Sequence, residues 1–276
     1  MVYPRRMNSS TPLATQQPDS SSACLNPYET ERILREYLLF HYGSAQEVVG
    51  YSFAPADALE YPARCVTQCV DVSKLGPDSR ALDLGCAVGR SSFELARCCG
   101  EVIGIDYSAA FISAAESVRV SGFLEYQCAL EGELTKPLRA VCPEGVDRQR
   151  VRFEQGDAMA LRGGLGKFEV VLMANLIDRL REPQKCLASL AALVSPHGQL
   201  VITSPYTWME EYTPRENWLG GRLQDGKPLR TLDGLRECLE GDFELVDSMD
   251  LPFLIREHAR KFQWSVAQGT RWIRRG

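Results

Sequence analysis

Four residues stand at a spacing that could hold a nucleoside without holding a phosphate. Asp83 lies two residues ahead of Gly85, Gly85 and Gly89 are spaced G-x-x-x-G, and Asp106 closes the apolar run Glu101-Val-Ile-Gly-Ile-Asp106. A dinucleotide site would want G-x-G-x-x-G, so that backbone amides at a helix N-terminus approach a pyrophosphate. A phosphate-cradling loop would want G-x-x-x-x-G-K-[ST], and no Lys follows the glycines here. What remains is a glycine turn for a ligand without phosphate, followed by a carboxylate suited to ribose hydroxyls. Singly, each glycine also reads as a tight corner and each acid as a solvated strand end. As a set at this spacing they read as a nucleoside site.

The elements around them must put these residues on one edge. Apolar runs predict strands near 80–85, 101–106, 150–155, 168–174 and 198–204, with helices near 89–98, 109–121, 182–194 and 231–240. That alternation is the pattern of an α/β fold with a doubly wound, mostly parallel sheet, whose ligands sit outside the carboxyl ends of the strands. Residues 243–249 and 259–273 read as two strands without a crossover helix, a terminal antiparallel addition. Ahead of the first strand, Ile33, Leu34, Tyr37, Leu38 and His41 recur at helical spacing, and Gly43 ends that helix. A second helix is expected over about 63–75, with Gly76-Pro77-Asp78 breaking it. The expected organisation is a disordered tail at 1–25, rich in Ser, Thr, Pro and Gln, a helical cap at 26–79 and a core at 80–276. Two polar inserts in that core, 123–149 and 205–231, are long enough to be read as lids or binding segments.

With 276 residues, 45% of them hydrophobic, the chain can bury one substantial core. The net charge of −5 disfavours a nucleic-acid partner, which would call for a basic groove. No stretch approaches the ~20 apolar residues that span a bilayer. Arg5 and Arg6 have no apolar run behind them, so a secretory signal is not expected, and the reading is a cytoplasmic protein without a membrane partner. Of the ten cysteines, Cys86, Cys98, Cys99, Cys186 and Cys238 fall in strand ends or helices, where free Cys acts as a small hydrophobe. Cys65 and Cys69 are one helical turn apart and could be half a metal site. No second Cys/His pair at ligand spacing completes it, so no metal is expected.

The turn Asp83-Leu-Gly85-Cys86-Ala-Val-Gly89, with Asp106 and Tyr107, resembles motif I of class I S-adenosylmethionine methyltransferases. The resemblance implies a seven-stranded Rossmann-like sheet and S-adenosylmethionine as cofactor. It also implies an acid or amide near the adenine amino group, in Gln155-Gly156-Asp157-Ala158. Asp157 also reads as a cap for a following helix. Asn175 and Asp178, at the end of the 168–174 strand, should face the cleft. Arg179 reads either as a site residue or as an exposed partner of Asp178 or Glu182. Tyr206 and Trp208 leave the fifth strand where aromatics could pack a planar substrate or a sulfonium. The Asn175 segment is not Asn-Pro-Pro-Tyr, the pattern expected for methylation of amide or exocyclic base nitrogens.

The likeness narrows on further segments: Asn26-Pro-Tyr28-Glu-Thr30, Glu36–Gly43, Ala174–Leu180, Ser204–Trp208 and Leu254–Trp264. Together they are similar to the methyltransferase region at the C-terminus of ovothiol synthases, the 4-mercaptohistidine N1-methyltransferases, over residues 26–276. The resemblance implies conversion of 5-thiohistidine to ovothiol A, with the sulfoxide synthase of those fused enzymes as a separate partner. A thiolate ordinarily outcompetes an imidazole nitrogen, so the site must choose the nitrogen by orientation. On this reading Asn175, Asp178 and Tyr206 orient the acceptor. Tyr28, Tyr42, Tyr51, Phe53, Arg179, Trp208 and His258 are further expected substrate contacts, with the first four forming a cover. His41 reads more simply as a core histidine and His197 as a solvated turn. The competing readings are a methyltransferase of another small aromatic or thiol metabolite, and a non-catalytic cofactor-binding subunit.

Overall fold

A computed structural model describes residues 27–276; the expected tail at 1–25 lies outside them. Seven helices are α1 (Glu31–Tyr42), α2 (Ala45–Val48), α3 (Tyr61–Thr67), α4 (Arg90–Leu95), α5 (Ala109–Ser121), α6 (Pro183–Leu193) and α7 (Thr231–Leu239). The strands are β1 (Arg80–Leu84), β2 (Glu101–Asp106), β3 (Phe123–Glu131), β4 (Leu134–Val141), β5 (Val151–Gln155) and β6 (Phe168–Ala174). They continue with β7 (Val194–Ser204), β8 (Arg222–Gln224), β9 (Lys227–Leu229), β10 (Phe243–His258) and β11 (Lys261–Arg274). Seven of these strands form one sheet in the order β10-β11-β7-β6-β1-β2-β5, parallel from β7 to β5 and antiparallel through β11 and β10. This is the doubly wound, Rossmann-like class I methyltransferase fold.

The central strands carry apolar runs, with charged residues mainly toward their ends, because both faces are covered. Alternation sends Ala81, Val170 and Leu172 into the core beneath α1, α3, α4 and α5. It sends Leu82, Leu84, Val171 and Met173 into a second core, beneath α6 and α7. Thr30 caps α1 by accepting from Ile33 N, and Ser108 caps α5 by accepting from Phe111 N at 3.1 Å. Cys65 and Cys69 are buried within the first core.

The structure departs from the sequence expectations in three places. The helix predicted over 63–75 spans only Tyr61–Thr67, because Asp71 Oδ1 accepts from Ser73 N and Ser73 Oγ and turns the chain into a separate 3-10 turn. The insert at 123–149 is a β3–β4 hairpin, with Tyr126, Cys128 and Ala140 in the core, and not a lid. Strand β10 continues past 249 to His258, through Pro252; as the sheet's edge strand it loses no ladder bond on its open side. The second insert, 205–231, carries the small β8–β9 hairpin around Asp225-Gly226, both at positive φ. Among the described residues, no helix is long and apolar enough to cross a membrane.

Candidate functional site

The carboxyl ends of β1, β2, β5 and β6 open into a cavity of about 420 Å³, within the size range of small-molecule sites. Gly85 lines it and Gly89 closes the turn behind, at φ +79° and +88° in the left-handed region. A Cβ on Gly89 would stand 2.5 Å from Phe153 Cζ, and one on Gly85 would stand 2.9 Å from Leu176 Cδ1, so neither position has room for a side chain.

Two carboxylates flank this turn. Asp106 Oδ2 accepts from Ala87 N and Oδ1 from Ser108 N, both at 2.9 Å, which fixes the carboxylate at the end of β2. Burial raises its pKa. Asp83 is fully buried; its Oδ2 accepts from Ser92 Oγ at 2.6 Å, while Oδ1 has no partner among the described residues. Burial first, and the Asp106 charge in addition, push the Asp83 carboxyl up to about 7 against the donation from Ser92. At the end of β5, Asp157 Oδ1 accepts from Met159 N at 2.8 Å, so its capping and its place at the cavity coexist.

The opposite wall is aromatic. Tyr28, Tyr37, Phe40 and His41 reach it from the N-terminal turn and α1, Tyr61 from α3, and Tyr212 from the second insert. Tyr37 lies 4.8 Å from the Phe111 ring, centroid to centroid. Asn175 joins the two walls: at φ +52° it aims Oδ1 at Tyr61, whose hydroxyl donates at 2.7 Å and also pairs with Thr203 Oγ1 at 2.7 Å. Arg179 lies 4.8 Å from the Tyr212 ring centroid, and its Nη1 donates to Asp178 O, Asp178 Oδ2 and Thr207 O at 2.9, 3.1 and 3.0 Å.

Ten of the sequence-predicted residues line this cavity: Tyr28, Asp83, Gly85, Cys86, Asp106, Tyr107, Asp157, Ala158, Asn175 and Arg179. Gly89 shapes the turn behind it. The others are elsewhere. Asp178 is buried beneath Arg179, where Oδ2 also accepts from Thr207 N at 2.9 Å; it orients Arg179 and not an acceptor. Tyr42 donates to Val88 O at 2.6 Å behind the glycine turn. Tyr206 and Trp208 line a second cavity, their polar tips held by Gln268 Oε1 and Thr231 Oγ1, each at 2.9 Å. Tyr51 and Phe53 stack on each other at 5.2 Å on the exterior, with Tyr51 donating to Ala259 O. His258 sits at the β10–β11 turn, accepting from Arg260 N at 3.3 Å. Tyr42, Tyr51, Tyr206 and Trp208 are held by partners distant in sequence, whereas Asp178 and His258 are taken up by their near neighbours Arg179 and Arg260. Sequence reasoning missed Tyr37, Phe40 and Tyr61 and placed His41 in the core. The available signal was the polar tip of Tyr37 and of His41 four residues on, along one inward helical face.

The methyltransferase-domain family matches residues 57–247. The chain belongs to that family. It is an S-adenosylmethionine-dependent methyltransferase, with S-adenosylmethionine as its cofactor. Over 112 residues the methyltransferase is 29% identical to the 23S rRNA (uracil(1939)-C(5))-methyltransferase RlmD of Shewanella sp. strain W3-18-1. That alignment takes in 39% of this chain and 25% of RlmD, so the chain spans about a quarter of the length of the curated relatives it matches. Among solved structures, the 4+2 cyclase SpnF is 16% identical, with 90% of this chain and 94% of SpnF covered and a TM-score of 0.55. The N-methyltransferase NodS of Bradyrhizobium japonicum WM9 is 14% identical over 79% of this chain and 96% of NodS, with a TM-score of 0.49. The likeness to SpnF is one of fold.

Proposed function

We propose that this methyltransferase transfers a methyl group to the side-chain-proximal imidazole nitrogen of 5-thiohistidine, giving ovothiol A. One observation carries the reading. The segments most similar to the ovothiol-synthase methyltransferase region, 26–30, 36–43 and 174–180, come together on one cavity, contributing Tyr28, Tyr37, Phe40, His41, Asn175 and Arg179. The Ser204–Trp208 segment lies on the other cavity and gives the reading no support.

The residues at the strand ends fit S-adenosylmethionine. Gly85 brings bare backbone to the cavity, and Asp83 Oδ1 is a buried acceptor without a donor among the described residues. When bound, the cofactor supplies a methyl group made electrophilic by its sulfonium. Asp106 would hold the ribose hydroxyls, Asp157 with Ala158 the adenine edge, and Asp83 with Gly85 and Cys86 the amino-acid end. On the acceptor side, Tyr28, Tyr37, Phe40 and Tyr212 confine a flat ring. Arg179, anchored through Nη1 to Asp178 and Thr207 and hydrogen-bonded to Tyr28, supplies the positive charge for an acceptor carboxylate. Asn175, held by Tyr61, orients a polar group of the acceptor. Holding the ring nitrogen in line is worth ~7–11 kcal/mol when the geometry is near attack, enough to override intrinsic nucleophilicity.

The test is incubation of the purified protein with S-adenosylmethionine and 5-thiohistidine, with the product read by fragmentation mass spectrometry. Ovothiol A is the expected product. Absence of any methylated thiohistidine from protein that binds S-adenosylhomocysteine would overturn the substrate reading while leaving the cofactor site standing.

A further inference from the structure

His41 is 8% exposed, sits on the inner face of α1 and lines the cavity together with Cys86, Ala87 and Asn175. Its Nδ1 is enclosed and has no hydrogen-bond partner among the described residues. Enclosure and the nearby Arg90 guanidinium act in the same direction, burial more strongly, and push the imidazole down to about 3, so the ring is neutral at physiological pH. A neutral imidazole carries one proton. On Nδ1 that proton would be a buried donor without an acceptor, the costlier kind of orphan. The proton therefore belongs on Nε2, the nitrogen not enclosed in this way, on a residue that lines the cavity. Tyr37, stacked at 5.9 Å, and Phe40, edge-on at 5.4 Å, hold the ring in place.

A single neutral N–H donor inside an aromatic wall suits a soft anion without a strong hydration shell. This inference rests on the thiohistidine reading and deepens it. We propose that His41 is the sulfur anchor of the site: its Nε2–H donates to the thiolate of 5-thiohistidine, turns that sulfur away from the methyl donor and so presents the ring nitrogen. In the step itself, the lone pair of the proximal nitrogen forms the new N–CH₃ bond. The S–CH₃ bond of the sulfonium breaks, with its electron pair remaining on the donor sulfur. The distal ring N–H is untouched, so no proton has to be removed by the protein. His41 is thus a specificity residue that contacts substrate, and it is not a base.

The chain has only three histidines, so nitrogen NMR of the ¹⁵N-histidine protein resolves His41 directly. The expected spectrum is a neutral Nε2–H tautomer at pH 7, whose proton moves downfield when 5-thiohistidine joins the S-adenosylhomocysteine complex. An Nδ1–H tautomer or an imidazolium would overturn the proposal. In calorimetry on the same complex, the wild type should prefer 5-thiohistidine to histidine. His41→Phe, which keeps the ring stack and removes the donor, should lose at least tenfold of that preference at unchanged affinity for S-adenosylhomocysteine. In turnover His41→Phe should form S-methylated product that the wild type does not, and His41→Gln, which restores an N–H, should reduce that fraction. Wild-type discrimination and all-nitrogen product in both variants would exclude His41 as the anchor. A wild type that binds S-adenosylhomocysteine but not 5-thiohistidine would remove the substrate reading, and the sulfur anchor with it.

Discussion

On the strand-end wall of the cavity, Asp83, Gly85, Asp106 and Asp157 are placed by backbone: each lies in or just past the carboxyl end of a strand, and two of the acids accept from main-chain amides. On the facing wall, Tyr28, Tyr37, Phe40, His41 and Tyr61 are placed by packing, on helices laid across the sheet from an earlier part of the chain. The first wall is set within short sequence windows; the second exists only after distant elements meet. A wall of the first kind changes by losing charges or glycine conformations. The second can exchange aromatic groups, and with them the acceptor, while the first stays as it is.

Arg179, which ends the β6 side of the cavity and lies against Tyr212 of the aromatic wall, should show the largest effect. Arg179→Ala leaves the Asp178 carboxylate buried without its cation, supported by the Thr207 amide and the Ser204 hydroxyl. Breaking such a pair costs ~3–5 kcal/mol, and we expect about 3 because Asp178 can take up a proton. Denaturant melts should show it, and a loss below ~1 kcal/mol would mean that the Asp178–Arg179 pair behaves as an exposed ion pair. Next is Asp106→Ala, which should weaken cofactor binding by ~1.5–3 kcal/mol, the worth of hydrogen bonds to a charged group. Calorimetry with unchanged affinity would place the ribose elsewhere.

The third expectation separates the walls by pH. The Asp83 carboxyl is raised from its ordinary 3.8 to about 7, so in the free protein its stabilising contribution is fully present below 3.8 and is lost as pH rises through 7. A cationic cofactor favours the ionised form, so affinity should move the opposite way, falling by up to about tenfold per unit as pH drops below 7. Asp83→Asn should flatten both trends, and parallel trends in the wild type would rule out Asp83 as their source. A smaller effect is expected on the packed wall. Tyr61→Phe removes the hydroxyl shared by Asn175 and Thr203 and should cost ~1 kcal/mol in stability, with slower turnover and unchanged affinity for S-adenosylhomocysteine. A matching loss of cofactor affinity would show that the walls are not independent. Smallest is Tyr206→Phe, which gives up one hydrogen bond to Gln268 outside the cavity. About 0.5–1 kcal/mol of stability should go, with rate and product unchanged. Any altered product would return Tyr206 to the site.

The strand-end wall was legible in the sequence because glycines and acids at fixed offsets from apolar runs carry their own geometry. The central strands were legible too, since burial on both faces leaves long apolar runs. Asp178 and Tyr206 sit where strand ends should face a cleft, but their partners, Arg179 and Gln268, turn them elsewhere. The β3–β4 hairpin does carry an alternation, with Tyr126 and Cys128 inward and Glu125 and Gln127 outward, yet Lys136, Arg139 and the acidic turn mask it. His41 resembles any core histidine until its surroundings show an enclosed nitrogen without a partner.

Helix α1 packs on β3, β4 and β10, and the Ala259 amide at the end of β10 donates to Leu130 O at the tip of β3. The helix that carries much of the aromatic wall is therefore clasped by two hairpins, one of them far along the chain from it. In time, this reverses the order of the sequence: the strand ends can assemble as β1 to β7 emerge, while α1 waits for β10 and β11 before its seat is complete. A chain lacking residues 243–276 would then have a place for the donor and an unfinished place for the acceptor.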